Sequence, residues 1–474
     1  MIIYAGLIIV FAGLTSGKSL EKLQFIANTQ HKSFSFLLFS DVHLDLMYNN
    51  TADKSGFCRN ESIKSSHTAS YGRIGCDTPL SLLQNALSAM KQKTMHSSKL
   101  NFIIVAGDMS SHHLTVDRRT QVLKSIMRTS KEVQSTFPDI PYFPSIGNND
   151  LAVDHVMPGE NSTWYSEILN IWQDAILCKH CNMKYQTTTL HELRKTFLYG
   201  GYYSVSIADG TMILLILNSL YWTRSMWKPN DYFTKRAHAQ MGWLEEQFKL
   251  ARRRKKKVVI SSHTSLGMDI YAFKSTWMKN FTERYVDLVV NKFSDVIAGQ
   301  VFAHFHRDSF RLLSDKKKDP SYHNSSYILL MPSMSPSYRN NPAFRIVHLD
   351  PDLQAITDYE QYYINITRTE MNNPVWQLDY KFSSRYPPSG NDDQVINGKR
   401  IKNLSANLIN LSDDSFFNGY ISSRQVRYQP HDSYSRSTYY CAITCIRRKE
   451  FNVCRKKYSD NDKNTRSNKY KANL

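Results

Sequence analysis

FLLFSDVHLDL, residues 36 to 46, is an apolar run that ends abruptly in Asp41, His43 and Asp45. A short apolar run bounded by polar residues predicts a buried strand, and a parallel sheet carries its chemistry at the carboxyl ends of its strands. Asp41 and His43 then project from a rigid edge. Side chains alternate along an extended segment, which sends both in similar directions, as a shared metal ion requires. One D-x-H is equally what an ordinary strand end with a solvated turn looks like. Other strands ending in the same way decide between the two.

Four more do so. Residues 101–106 (NFIIVA) stop at Gly107-Asp108, and residues 142–146 stop at Gly147-Asn148-Asn149-Asp150. Residues 257–261 lead into Ser262-His263, and residues 296–303 lead into His304-Phe305-His306-Arg307-Asp308. Between them lie helical patterns: one from Pro79 with Leu80, Leu83, Leu87 and Met90 on one face, one over 116–137 ended by Pro138, and others over 161–176 and 240–253. Strands alternating with helices of this length predict parallel βαβ units. Residues 200–207 begin an antiparallel addition, 211–217 form another buried strand, and 325–336 with 344–350 close a second sheet. Residues 383–435 are rich in Ser, Asn and Asp and read as a peripheral extension with little core. The expected organisation is a catalytic domain over 33–350, a C-terminal subdomain over 351–440 and a basic, disordered tail over 441–474.

Sixty Lys and Arg against 41 Asp and Glu give the 474-residue chain a formal charge of +19. Such a balance suits nucleic acid, anionic membrane or phosphorylated substrates. Ten of the cations, against three acids, fall between residues 440 and 474. A basic tail is most often solvated, so no specific nucleic-acid site is expected, and a protein holding an anionic surface through this tail remains an alternative. Residues 2–14, IIYAGLIIVFAGL, followed by small polar residues, read as a signal peptide over 1–17, too short to span a membrane. With no basic residue before it, an uncleaved anchor is the other reading. No later segment sustains 18 apolar residues. Export, to the cell exterior or to lysosomes, gives meaning to N-x-S/T sequons at Asn49, Asn60, Asn161, Asn280, Asn324, Asn365, Asn403 and Asn410. It also makes the seven cysteines mostly disulfides. Cys58 and Cys76 bracket a polar loop, and Cys178 with Cys181 reads as a local bridge rather than a zinc site. Cys441 and Cys445 complete the expected set and leave Cys454 over.

Three oxygen donors, Asp41, Asp108 and Asn148, and four imidazoles, His43, His263, His304 and His306, are the ligand complement of two borderline divalent ions. Their order, D-x-H, G-D, G-N-x-D, a lone His and H-x-H, resembles the calcineurin-like metallophosphoesterases. GDMSSH (107–112), HFHRDSF (304–310) and PSMSPSYRNNPAFRI (332–346) resemble, within them, the acid sphingomyelinase-like phosphodiesterases. The resemblance runs from Phe36 to about Trp376. It implies a four-layer α/β/β/α sandwich with a small C-terminal extension and two Zn2+ per chain. Asp41, His43, Asp108 and His306 would bind one ion, and Asn148, His263 and His304, with Asp108 as bridge, the other. It implies attack on phosphorus by a hydroxide bridging the ions, whose pKa they lower to around 7, and a proton for the leaving alkoxide.

The resemblance places His112 near the phosphate. The family reads G-N-H-D or G-N-H-E, with a histidine that helps protonate the leaving group, where this chain has Asn149. An amide supplies no proton near neutral pH. Either His112 or His113 takes over, or the enzyme is slow on poor leaving groups, or the chain is a pseudoenzyme that binds metal, phosphorylated ligands or a receptor. Ser262 and Ala303 stand where the family has glycines. The stretch before the first strand is too short for the saposin-like domain of the sphingomyelinase proper. The implied substrate is therefore a small phosphodiester, a nucleotide or a lipid head group, taken by a monomer with peripheral membrane contact.

Overall fold

Strands that are apolar at every position, not at alternate ones, must be covered on both faces. β1 (Phe34–Phe39, FSFLLF) is buried throughout, and β2 (Leu100–Val105, LNFIIV) at all but its first residue. The computed structural model describes residues 34–95, 100–181, 185–224, 226, 230–315, 324–369, 374–388, 394–429 and 434–458. The expected signal peptide lies outside them.

After β1, α1 (Leu80–Thr94) crosses to β2, and α2 (Arg118–Thr136) crosses to β3 (Tyr142–Pro144). These three strands are parallel, and Phe39 pairs with Val105 and Val105 with Pro144. They therefore end level, with the loops carrying Asp41, Asp108 and Asn148 side by side. After α3 (Trp164–Leu177) and α4 (Leu190–Gly200) come β4 (Tyr203–Ile207) and β5 (Met212–Ile216). α5 (Asp231–Arg253) leads to β6 (Val258–Thr264) and the ribbon β7 (Met268–Asp269) and β8 (Lys274–Ser275). α6 (Lys279–Val286) precedes β9 (Ile297–Ala303), β10 (Ser309–Ser314) and β11 (Ser325–Leu330). β5, β6 and β9 are parallel, so His263 and His304 also leave one edge together.

The chain then returns to the first sheet with β12 (Ala343–Asp350), β13 (Ala355–Ile364) and β14 (Trp376–Lys381). The two six-stranded sheets run β14-β13-β12-β1-β2-β3 and β10-β11-β9-β6-β5-β4. They face one another, with helices outside, as the α/β/β/α sandwich requires. Hydrogen bonds cross between them, from Tyr203 Oη to the Pro144 carbonyl (2.8 Å) at one margin and from Arg345 on β12 to Asp308 just before β10.

The C-terminal third differs from the sequence reading. The boundary expected at residue 350 falls inside a continuous sheet, since β13 pairs with β12 and β14 with β13. Residues 383–435 have a core after all: α7 (Gly398–Leu408) and α8 (Ser415–Arg424) bury Ile401, Leu404, Leu408 and Tyr420, and α7 packs on β10 and β11. The disordered tail expected from residue 441 is corrected for its first part, because α9 (Arg436–Thr444) and α10 (residues 448–458) are helical. The physical reason is that this layer packs through tyrosines and arginines. Arg424 lies over Tyr439 and Arg436 over Phe417, and counting apolar residues alone misses such stacks.

The expected disulfide set is also corrected. Cys58–Cys76 and Cys178–Cys181 form as expected, but Cys441 joins Cys454. Cys441 and Cys445 lie four residues apart at the end of α9, whereas α10 folds back to bring Cys454 to Cys441. Cys445 is buried, with Thr444 Oγ1 3.8 Å from its sulfur. All eight sequon asparagines reach the surface, Asn49 and Asn365 being half-buried and the rest exposed. Closing a loop of this length lowers the entropy of the unfolded chain, so Cys454→Ser should cost about 3 kcal/mol of stability in denaturant titration. Peptide mapping without reduction should recover the Cys441–Cys454 link. A Cys441–Cys445 link would contradict this packing.

Candidate active site

Five of the seven candidate ligands have positive φ: Asp41 (48°), His43 (44°), Asp108 (55°), His304 (79°) and His306 (54°). The left-handed region costs a residue with a Cβ roughly 1 kcal/mol, and such strain gathers at functional sites. It also corrects one step of the sequence argument. Asp41 and His43 are not in an extended segment. They converge because the backbone turns at each of them, held by hydrogen bonds from Asp41 N to Gly107 O, His43 N to Asp108 O and Leu44 N to Met109 O. Glycines allow the approach: a Cβ on Gly107 would lie 2.8 Å from His263 Nδ1, and one on Gly147 only 2.1 Å from Asp108 Oδ1.

The seven side chains meet. His43 Nε2 lies 3.1 Å from His306 Nε2, and His306 Nε2 lies 3.4 Å from Asp41 Oδ1. His263 Nε2 lies 3.0 Å from Asn148 Oδ1, 3.3 Å from Asp108 Oδ2 and 3.3 Å from His304 Nδ1. Asp108 Oδ2 is also 3.6 Å from His43 Nε2, which puts this carboxylate between the two groups. Tautomers follow from the outer partners: His43 Nδ1 donates to Ser110 O and His263 Nδ1 to Ala106 O. His43 Nε2 therefore presents a lone pair inward, and His263 Nε2 faces the same centre. Asn148 Nδ2 donates to His155 Nε2, which turns Oδ1 inward as well. Asp41 Oδ1 and His306 Nδ1 are buried without a hydrogen-bond partner.

Ring nitrogens and side-chain oxygens thus crowd together at about 3 Å, an arrangement that intervening positive charge, from protons or from metal ions, makes favourable. Burial holds His43 at about 4 and His304 at about 3 and pushes Asp41 up to about 7, whereas Asp108 outweighs burial at His263 and lifts it to about 9. Asp41, His43 and Asp108 form one group able to hold a metal ion, and Asp108, His263 and His304 another. The donor set fits two such ions.

Around this centre lie residues that the sequence reading did not assign. Asp150 accepts from the backbone N–H of Gly147 (2.9 Å), Asp108 (2.8 Å), Met109 (2.8 Å) and Ser110 (3.1 Å), clasping two of the metal loops. Burial and Asp108 push its carboxyl up to about 7, yet four donors with no other acceptor hold it ionised. The G-N-x-D pattern contained it. Asp77 had no local signal: its Oδ1 is 2.9 Å from His112 Nδ1 and its Oδ2 accepts from His112 N at 2.7 Å. Burial works against that carboxylate, but His112 outweighs it and holds it low. The same pair raises His112 against its own burial. The His112 ring stacks on His43 at 3.8 Å, whereas His113 stacks on Phe57 at 4.1 Å.

Asn149 is a donor here: its N and Nδ2 each lie 2.8 Å from an Asp108 oxygen. Asp45, outside the ligand pattern, accepts from Arg59, which also donates to the carbonyls of His112 and His113. Ser262 satisfies its hydroxyl with Leu217 O and Ser219 N, so replacing glycine leaves no orphan group. The segment after β11 fastens the first loop through Met334 N to Ser40 O and Ser335 N to Asp41 O. A cleft of about 400 Å³ opens onto the centre, lined by Asp108, His112, Asn148, Asn149, His304 and His306 and walled by His155, Tyr271, Phe305 and Tyr338.

No family model matches the chain. The bovine protein named cyclic GMP-AMP phosphodiesterase SMPDL3A is 30% identical over 368 residues, covering 73% of this chain and 74% of that one. The chain belongs to the acid sphingomyelinase-like phosphodiesterase family. Other members of this phosphodiesterase family align similarly. Sphingomyelinase phosphodiesterase C of Dictyostelium discoideum is 27% identical, covering 89% of this chain and 90% of its own. Human acid sphingomyelinase-like phosphodiesterase 3b is 26% identical, covering 77% and 79%. Membership makes phosphodiester hydrolysis the reaction class.

In this member Asp150→Asn would set an NH2 group against backbone N–H donors and leave at least one of them unsatisfied. A loss of about 3 kcal/mol is expected in thermal or denaturant unfolding, together with lower metal content by elemental analysis. Unchanged stability would show that the four bonds are not holding the loops.

Proposed function

We propose that this chain is a secreted, monomeric, glycosylated enzyme that hydrolyses phosphodiester or phosphoanhydride bonds of nucleotide or sphingomyelin-type substrates with two Zn2+ ions. Asp41, His43, Asp108 and His306 bind one ion, and Asp108, Asn148, His263 and His304 the other. The observation that carries this reading is the convergence of four imidazoles and three side-chain oxygens on two adjacent points that share Asp108. Four imidazoles among seven ligands favour zinc over magnesium or calcium, which prefer oxygen. When bound, the two ions supply Lewis-acid charge for the phosphoryl oxygens and acidify a water to act as nucleophile.

The chain's own residues do the rest. Asp108 stands between the two groups and is oriented by both donors of Asn149. Asn149 thus serves geometry in place of the family's acid. His112 lines the cleft, Asp77 beside it strengthens its hold on a proton against burial, and it delivers that proton to the leaving oxygen. Ser335 Oγ donates to Asp77 at 3.2 Å and steadies the pair. Tyr271, Phe305 and Tyr338 offer flat faces to whatever group the phosphate carries. The second reading, a metal-binding pseudoenzyme, is favoured by Asn149 alone.

Three outcomes are expected. Purified protein holds two zinc ions and turns over bis(p-nitrophenyl) phosphate and a natural diester; zinc bound without turnover of either would leave the pseudoenzyme. Asp108→Ala empties both sites, read as zinc content near zero with activity lost. Asp77→Asn lowers kcat about a hundredfold on substrates with poor leaving groups but little on nitrophenyl esters, whose leaving group needs no proton. Equal loss on both would remove His112 as the acid.

A further inference from the structure

Away from the cleft, α6 and α10 enclose a groove of about 580 Å³ whose wall contains five cations against two acids. One cation is already neutralised: Arg447 bonds Glu283 at 2.7 and 2.6 Å and Glu450 at 2.9 Å. The remaining four, Arg224, Lys279, Arg448 and Lys449, are exposed and meet no acid among the described residues. The space between them is apolar. Trp277 and Ile446 are buried at its base, and Val453 is 62% exposed at its rim. Val453 lies one turn beyond Lys449 on α10, so both occupy one flank of that helix. Lys456 and Lys457 add further exposed positive charge on the same helix.

We propose that this groove docks the protein on an anionic bilayer, with Arg224, Lys279, Arg448 and Lys449 receiving phosphate head groups and Val453 entering the acyl boundary. Charge complementarity selects an anion. The apolar base and the exposed Val453 select a lipid over a soluble phosphate, which would use the cations and leave the apolar surface wet. A short helix with cations beside an exposed aliphatic side chain is the arrangement that lies in a membrane interface. The Cys441–Cys454 bond and the ion pairs of Arg447 hold α10 in place beforehand, so little ordering is needed on binding. Asn280, a sequon residue, is exposed next to Lys279 but is not part of the groove wall. The surface is independent of the metal ligands.

Co-sedimentation of the full chain with vesicles of phosphatidylcholine, alone or containing phosphatidic acid, tests this. Binding is expected to the acidic vesicles only and to weaken with salt. Lys279→Ala, Arg448→Ala and Lys449→Ala should each lower partitioning about fivefold, and together roughly a hundredfold. Val453→Ser should lower it about threefold, at high salt as well as low. Turnover of bis(p-nitrophenyl) phosphate and the melting temperature should not change. The comparison variant Arg253→Ala/Arg254→Ala/Lys255→Ala, which removes equal charge from another exposed surface, should leave partitioning intact. Equal loss in that variant, equal binding to neutral vesicles, or release by inorganic phosphate at lipid-equivalent concentration would each overturn the proposal.

Discussion

Imidazole nitrogens and side-chain oxygens gathered within about 3 Å of one another are the constraint on which the rest of the molecule depends. His43 Nε2 against His306 Nε2, and His263 Nε2 against Asn148 Oδ1, are contacts that need a proton or a cation between them. Five residues take up left-handed backbone to make them. The surrounding fold must supply the free energy that holds this arrangement until a cation binds. It does so where the loops are tightest, through the four N–H bonds to Asp150 and the paired backbone bonds between the loops after β1 and β2. A site so built gains stability from what it binds.

The same constraint explains why two sheets are needed. No single strand end could gather four imidazoles and three oxygens within a few ångströms. Parallel strands that end level bring together three loops from the first sheet and two from the second, and the sandwich sets the two edges against each other. His43 and His306 are 263 positions apart in sequence and adjacent in space. The H-x-H loop is then pinned from behind. Asp308, two residues past His306, receives Arg345, Gln361 and Tyr380 inside the protein. Arg345 is fully buried, so an ion pair of this kind specifies one position for the loop more than it adds stability.

Much of this was legible in the sequence, because strand ends are local. Apolar run, then Asp, Asn or His, is a pattern of a few residues, and its repetition at five ends located every residue of the cluster. What was not legible depends on contacts without local form. Asp77 follows Cys76 in a polar loop, and nothing beside it announces that its carboxylate reaches the His112 ring, 35 residues on. His155 reaches Asn148 from a loop whose only local sign is a positive φ. The C-terminal layer escaped for another reason. Its helices bury arginines against tyrosines, and a reading that counts Arg as solvated sees no core there. Cys454 was set aside for the same reason, because α10 was not foreseen as the element that returns it to Cys441.

Position 149 shows how a residue can serve the centre without supplying a proton. A histidine there would have to choose between facing Asp108 and facing the leaving group. The amide has no such choice. It donates once from its backbone and once from its side chain, one bond to each Asp108 oxygen. Asp108 is thereby fixed more firmly, while the proton must come from elsewhere. The candidate source, His112 with Asp77 behind it, approaches from the loops after β1 and β2, and its ring lies flat on His43. On the proposed reading a proton carried there would arrive on the side of His43 and His306, whereas one at position 149 would come from the loop after β3. In this chain the two ends of a substrate phosphodiester would therefore be distinguished by which of them lies over His112.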